Sequence, residues 1–363
     1  MTPSLSNFIS SIFAGALLVI VPIGIALTTV SKIEPSDPDI VLLGLILINI
    51  MSNKISKIFY KVTIGLLRKI YFSIREIYKY LILNHFVSLH RLSSKPYISG
   101  DTFRDFADHI FDETKKFNPE KVKKNDVVFV KTDYLIDYLK NIHKKIDSQY
   151  ILLSHNGDKN FDSKILNLLD HKIIHAFIQN LDLESYNKKI DVLPIGLENR
   201  RFMNSGILRN FRDKKVLNNA SLKNNRILSS FSPHTNMEKR HELSEMSKNI
   251  EFVDIKILGN HINYLRELAK YKFNFCPEGN GIDTHRFWES LIVKTMPIAL
   301  KSNINLEYKK LGLPILLLDA WSDILTYTED DLEAIYKKEF NSDDFQNILM
   351  FAYWKNKINN KKI

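Results

Sequence analysis

Cysteine occurs once in 363 residues, at Cys276. A lone thiol excludes an intrachain disulfide and any zinc site built on several cysteines, and it suits a reducing compartment. The glycine motifs of common nucleotide-binding folds are also missing. There is no Walker A run, which speaks against a P-loop NTPase, and no Gly-x-Gly-x-x-Gly, which speaks against a dinucleotide-dependent oxidoreductase. Without a Gly-x-Ser-x-Gly, a hydrolase nucleophile elbow has no support. No internal repeat or low-complexity tract is evident, although Asn and Lys are frequent. With 45% hydrophobic and 25% charged residues, the composition is that of a globular protein and excludes disorder over most of the chain. The length suits one large or two medium domains.

Positive charge is present in excess, but unevenly. Fifty-one Lys and Arg against 41 Asp and Glu give a formal net charge of +10. Residues 52–95 alone carry nine Lys or Arg against Glu76, while residues 1–51 are slightly acidic. The surplus therefore follows the most apolar part of the chain, where anionic lipid headgroups would attract it at about 1 kcal/mol per residue. Nucleic-acid binding loses its main compositional support.

Residues 8–30 contain no charged side chain, and at about 1.5 Å per helical residue they are long enough for a hydrocarbon core of about 30 Å. Pro22 is tolerable in a membrane helix. No Lys or Arg precedes Phe8, so a retained helix is expected rather than a cleaved signal peptide. A second apolar run, residues 40–51, allows a hairpin of two spans, with Lys54 and Lys57 snorkelling. The basic run after it places the bulk of the protein in the cytoplasm by the positive-inside rule. From Lys54 to about Val87, apolar residues at helical spacing alternate with Lys and Arg, as in a helix lying on a membrane surface. The expected organisation is a membrane anchor over 1–53, a basic amphipathic helix over 54–94, two lobes over 95–210 and 211–340, and a C-terminal helix or tail over 341–363. The last eleven residues hold four lysines and are expected to be solvated or to touch the membrane again.

Beyond Lys95, short β-type runs alternate with helical stretches. The runs are 126–131, 150–155, 173–179, 192–196, 227–232, 273–278, 296–300 and 314–319, with helices expected over 237–247, 262–270 and 284–294. This alternation predicts parallel sheets in an α/β fold with two Rossmann-like lobes, the ligand lying beyond the carboxyl ends of the strands.

The most specific stretch is KFNFCPEGNGIDTHRFWESLIVKTMPIAL, residues 272–300. A buried strand is expected to end at Cys276, followed by a glycine-bearing turn and a helix starting near Asp283 or Thr284, both good N-cap residues. Glycines let the backbone approach a ligand, and a helix N-terminus favours an anion. His285 and Arg286 fall in the first helical turn, where cations oppose the helix dipole unless a phosphate lies nearby. Glu289 falls on the same face as His285, four residues on, within reach of a sugar hydroxyl.

This stretch resembles the C-terminal signature of exostosin-like glycosyltransferases, the family 47 type, through Pro277, Gly279, Gly281, His285, Arg286, Trp288, Glu289, Pro297 and Ile298. LPILLLDAWSDI (313–324) resembles the closing strand of that family. YISGDTFR (97–104), FVKTDYL (129–135), LLSHNGD (152–158) and the segment from IQNLD to LPIGLENR (178–200) resemble the N-terminal half of its bacterial and viral members. The resemblance spans roughly 95–325. It implies a GT-B transferase in which the C-terminal lobe holds a nucleotide-sugar donor and the other lobe an acceptor. Arg286 would bind the diphosphate, Glu289 a ribose or sugar hydroxyl, and Gly279, Asn280, Gly281 and Asp283 would line the donor turn beside His285. Enzymes of this fold generally need neither bound metal nor resident cofactor, since the nucleotide-sugar is a substrate and helix dipole and basic side chains neutralise the leaving diphosphate. An inverting transfer further needs a base for the acceptor hydroxyl. His155 and Asp158 are the leading candidates, Glu198 the next and Asp101 a third, with Ser154 and Asn156 as hydroxyl-binding neighbours. Ser232 and Arg240, near the first strand end of the C-terminal lobe, could reach donor phosphates. The expected partners are the nucleotide-sugar, a glycan or lipid-linked acceptor and the membrane. The competing expectation is a degenerate transferase fold that binds glycans or scaffolds a membrane complex.

Overall fold

Runs such as Val127-Val128-Phe129-Val130 and Tyr150-Ile151-Leu152-Leu153 lack polar alternation, so they suit strands covered on both faces, and they are buried along their whole length. A computed structural model describes residues 91–184, 188–202 and 204–363, all within one unit, Lys79–Ile363. Among the described residues, ten strands form two all-parallel sheets, an α/β architecture compatible with two Rossmann-like lobes. The first sheet comprises β1 (His109–Phe111), β2 (Val127–Lys131), β3 (Tyr150–His155), β4 (Ile173–Ile178) and β5 (Ile190–Val192), in the order β1-β2-β3-β4-β5. The second comprises β6 (Asn224–Ser229), β7 (Val253–Ile255), β8 (Tyr271–Phe275), β9 (Met296–Leu300) and β10 (Leu316–Leu318), in the order β10-β9-β8-β6-β7.

The two orders differ in a way that matters for ligands. The second sheet starts at β6, adds β7 on one side and then β8 on the other, so it has a topological switch point between β6 and β8. The first sheet grows in one direction only and has no such reversal. Its register nevertheless brings strand ends together, with Lys131 opposite His155 and Ser154 opposite Ile178.

Strands β1 and β7 were not expected from the sequence. Each has three residues, too few for a periodic signal, and each is an edge strand held by one neighbour. The run 192–196 is strand only at Val192. Beyond it Gly196 adopts a left-handed φ of 64°, and a Cβ there would lie 2.4 Å from the carbonyl oxygen of Ile98.

One continuous apolar core runs from the strands of the first sheet to Phe287, Trp288, Leu291, Ile304 and Tyr308 of the second lobe, and on to Phe351, Trp354 and Ile358. Two smaller cores flank the second sheet. The C-terminus corrects an expectation in part: Lys362 and Ile363 are exposed, but the stretch before them is not a solvated tail. The helix Phe351–Asn359 returns to the first lobe, with the Phe351 ring 5.8 Å from Phe103 and 5.6 Å from Phe106. Trp354 is fully buried and donates its Nε1–H to the carbonyl of Ile348, and Lys357 pairs with Asp191 at 3.0 Å.

The membrane segments expected over 8–30 and 40–51, and the amphipathic helix expected over 54–87, lie outside the described residues. Among the described residues, no helix is long and apolar enough to cross a membrane.

Candidate functional site

The switch point is where the glycine-bearing turn sits. β8 ends at Phe275, and the helix His285–Ile292 begins after an extended Thr284 whose side chain makes no capping bond. The first backbone N–H groups of that helix therefore lack a side-chain acceptor at the cap. Arg286, in the first turn, donates from Nη1 to Ser230 Oγ at 3.2 Å, just past the end of β6, and its guanidinium lies 5.1 Å from the Tyr264 ring centre. Arg240, buried on the helix Met237–Met246, donates to the carbonyls of Glu278 (2.6 Å), Ser232 (2.9 Å) and Pro277 (3.4 Å). One guanidinium thus fastens the turn after β8 to the loop after β6. Burial, and next the charge of Arg286, pull the Arg240 guanidinium down to about 10. Among the described residues, no carboxylate lies within ion-pair distance of Arg286 or Arg240. Two neighbouring cations at a helix N-terminus, without a counter-charge, form a place for an anion with several oxygens.

The other residues of the turn have different fates. Asn236 caps its own helix by accepting from the Lys239 N–H and ties the turn by donating to the Gly279 carbonyl at 2.7 Å. Gly279 packs near Arg240, and a Cβ there would sit 3.4 Å from Nη2. Asn280 and Ser232 are exposed, their side chains free to meet a ligand. Gly281 serves a contact between lobes, since a Cβ there would lie 2.7 Å from Asn180 Nδ2.

Asp283 was expected to line the donor turn, and here the structure corrects the sequence. Its buried carboxylate accepts from the Tyr308 hydroxyl (2.6 Å), the Ile195 N–H (2.8 Å) and Trp288 Nε1 (2.9 Å), and its own N–H donates to Asn180 Oδ1. These bonds commit it to joining the two lobes. Glu289 is 4% exposed, and its Oε1 lies 3.2 Å from Nε2 of His261, yet neither atom makes a hydrogen bond among the described residues.

His285 faces the other way from Arg286, across the lobe boundary. Its Nδ1 lies 2.8 Å from the carbonyl oxygen of Gly196, so that nitrogen donates and Nε2 is the ring nitrogen left without a protein partner among the described residues. The ring lines a second cavity of about 310 Å³ at the carboxyl ends of β2, β3 and β4, together with Lys131, Asp133, Asp158, Gln179, Asn199, Arg201 and Phe202.

The four candidate bases separate clearly around this cleft. His155 reaches its wall but has both ring nitrogens engaged: Nε2 lies 3.0 Å from the Pro194 carbonyl, and Nδ1 accepts from the Asn156 N–H. Burial pulls it down to about 4, so it is a neutral structural imidazole rather than the expected base. Asp158 is exposed on the cleft wall, its carboxylate in no hydrogen bond or ion pair among the described residues. Glu198 accepts from the Ser205 N–H at 2.7 Å and pins its own loop, so it is not among the residues lining the cleft. Asp101 is wholly buried among Asn156, Arg91 and Arg201, and burial raises its carboxyl above the usual range. Ser154 and Asn156 are also spent internally, the first on Thr132 and the second on Asp101 and Asn199.

Sequence reasoning missed Tyr264, Asn180, Asp133, Gln179, Asn199, Arg201 and Phe202. The rule that ligands gather at carboxyl strand ends points to Asp133, Gln179 and Asn180, which follow β2 and β4 within two residues. No comparable signal marks Tyr264, on the outer helix His261–Leu268, or Phe202, in a short 3-10 turn.

Two comparisons bear on the chain. A family model of the photosystem II reaction centre X protein (PsbX) matches residues 1–35, outside the described residues. Among solved structures, the chain is similar to the UDP-GlcNAc 2-epimerase of Methanocaldococcus jannaschii at 10% identity, over 60% of this chain and 70% of that one, with a TM-score of 0.27. A likeness that low transfers neither fold nor function.

Proposed function

We propose that this protein is a glycosyltransferase of the exostosin-like type, which takes a sugar from a nucleotide-diphosphate donor and passes it to a hydroxyl of a glycan or lipid-linked acceptor. The observation that carries the reading is the pair Arg286 and Arg240, without a carboxylate partner, at the start of a helix and at the switch point of the second sheet. The diphosphate would lie against Arg286 and the uncapped start of the helix, with Ser232 and Asn280 at its edge. Fixed cations and helix dipole would stabilise the departing charge in place of a bound metal.

In the transfer, the acceptor hydroxyl gives its proton to a base, and its oxygen bonds to the anomeric carbon. The bond from that carbon to the diphosphate oxygen breaks, and the electron pair leaves with the diphosphate. Attack from the face opposite the leaving group inverts the anomeric centre. His285 and Arg286 are consecutive, so one helix start would present a proton acceptor to the cleft and a cation to the leaving group. The apolar and basic N-terminal segments would hold this unit at the cytoplasmic face of a membrane, near a lipid-linked acceptor.

Titration calorimetry of the full-length chain with UDP, GDP, ADP and dTDP tests the donor half. At least one should bind, and Arg286→Ala should weaken it by about tenfold or more, because a charge-assisted contact is lost. If none binds, or if the Arg286→Ala protein binds equally well, the reading fails.

A further inference from the structure

The cleft at the carboxyl ends of β2, β3 and β4 has a character that the donor site lacks. Its cations are already paired. Lys131 Nζ lies 3.1 Å from Asp133 and 3.6 Å from Glu113, and Arg201 lies 3.2 Å from Glu113 and 3.9 Å from Asp101. Asp158 adds a carboxylate with no partner among the described residues, and His285 adds its Nε2. The remaining lining groups include the aromatic ring of Phe202, which is 48% exposed, and the buried amides Gln179 and Asn199, whose oxygens already accept from the N–H groups of Asn156 and Asp101. Arg201 lies against that ring at 4.6 Å, which braces it while leaving much of its surface open. At about 310 Å³ the cavity falls at the small end of the ligand-pocket range of roughly 300–1,000 Å³.

We propose that this cleft is a subsite for a single uncharged sugar, the terminal residue of the acceptor, with Phe202 as its stacking platform and Asp158 and His285 as acceptors for its hydroxyls. Hydroxyl groups donate to a carboxylate oxygen or an imidazole nitrogen, and the C–H face of a pyranose packs on an aromatic ring. A uronic acid fits poorly, because its carboxylate would meet Asp158 while finding Lys131 and Arg201 already neutralised. Like charges in a half-enclosed site repel strongly. Calling the bound sugar an acceptor rests on the transferase reading. The binding chemistry does not.

The two are separated by measuring sugar binding without nucleotide. Saturation-transfer NMR on the full-length chain would use methyl glycosides of glucose, galactose, mannose and N-acetylglucosamine, beside those of glucuronic and galacturonic acid. At least one neutral glycoside should bind, with its uronate counterpart about tenfold weaker or undetectable. Phe202→Ala should weaken binding roughly five- to tenfold, and Phe202→Tyr should retain it. Arg286→Ala should leave sugar binding intact while losing nucleotide. Absence of binding by every neutral glycoside, equal binding of uronates, or a Phe202→Ala protein with unchanged affinity would overturn the proposal, whatever the nucleotide titration shows.

Discussion

At the scale of the residue, the interior is stitched by a few polar side chains that each satisfy several partners. Asp283 is the clearest. Burial pushes its carboxyl up, while the bonds from Ile195, Tyr308 and Trp288 oppose that. Asp283→Ala would strand three buried donors, and each unsatisfied group costs about 1–3 kcal/mol. Urea unfolding should show a loss of at least about 2 kcal/mol, whereas Asp158→Ala, on the open cleft wall, should stay within about 0.5 kcal/mol of wild type. Lys223 plays a similar part at the opposite end of the second sheet. Its Nζ donates to the carbonyls of Ala269 and Tyr271 and to Thr295 Oγ1, and burial pulls it down to about 7. Its folded value lies below its unfolded one, so the unfolded chain binds the proton more tightly between the two. Stability should therefore rise as pH climbs from about 7 towards 10, and in Lys223→Met, measured by the same unfolding, that rise should flatten.

At the scale of the element, sequence signals and structure agree best where a segment is long and strongly patterned. The helices over 237–246, 261–268 and 285–292 and the buried strands β2, β3, β4 and β9 stand close to their expected positions. Apolar periodicity encodes the second and third of these helices locally, and the N-cap Asn236 marks the start of the first. Strands of three residues carry no period, and edge strands are fixed by a neighbour that the local sequence does not name. The C-terminal helix is a related case. Its lysines suggested solvent, yet Phe351, Trp354 and Ile358 recur at helical spacing on the opposite face and find the first lobe. Trp354→Ala should destabilise the protein by about 3–5 kcal/mol, as emptying a large buried site does, and thermal unfolding would register it as a marked fall in Tm.

At the scale of the whole molecule, the two sheets are not independent bodies. They share an apolar core through Trp288 and Tyr308, and polar bonds from Asp283 and His285 cross the boundary beside it. That sharing decides how the candidate site is built: one helix start delivers Arg286 to the switch point and His285 to the first-lobe cleft. It also sets the response to acid. His155, whose ring spans from β3 to the Pro194 carbonyl, is held down to about 4, below the ordinary 6.5. Its contribution to stability is complete above pH 6.5 and is lost as pH falls towards 4, an effect on the order of 3 kcal/mol. Asp191, held to about 2 with His175 and Lys357 as its main partners, opposes unfolding down to lower pH still. Thermal scans between pH 7 and 4 should show a falling Tm, and the slope should be shallower in His155→Gln.

The sequence by itself determined the α/β alternation, the turn between β8 and the following helix, and the placement of Arg286 in its first turn, because these follow from local pattern, capping and chain connectivity. Only the tertiary structure decided what each polar residue is free to do. It turned Asp283 and His155 inward, and left Asp158 and His285 facing an open cleft with Phe202. Hydrogen-bonding capacity is finite, and whether a side chain spends it on the fold or keeps it for a ligand depends on neighbours that lie far away along the chain.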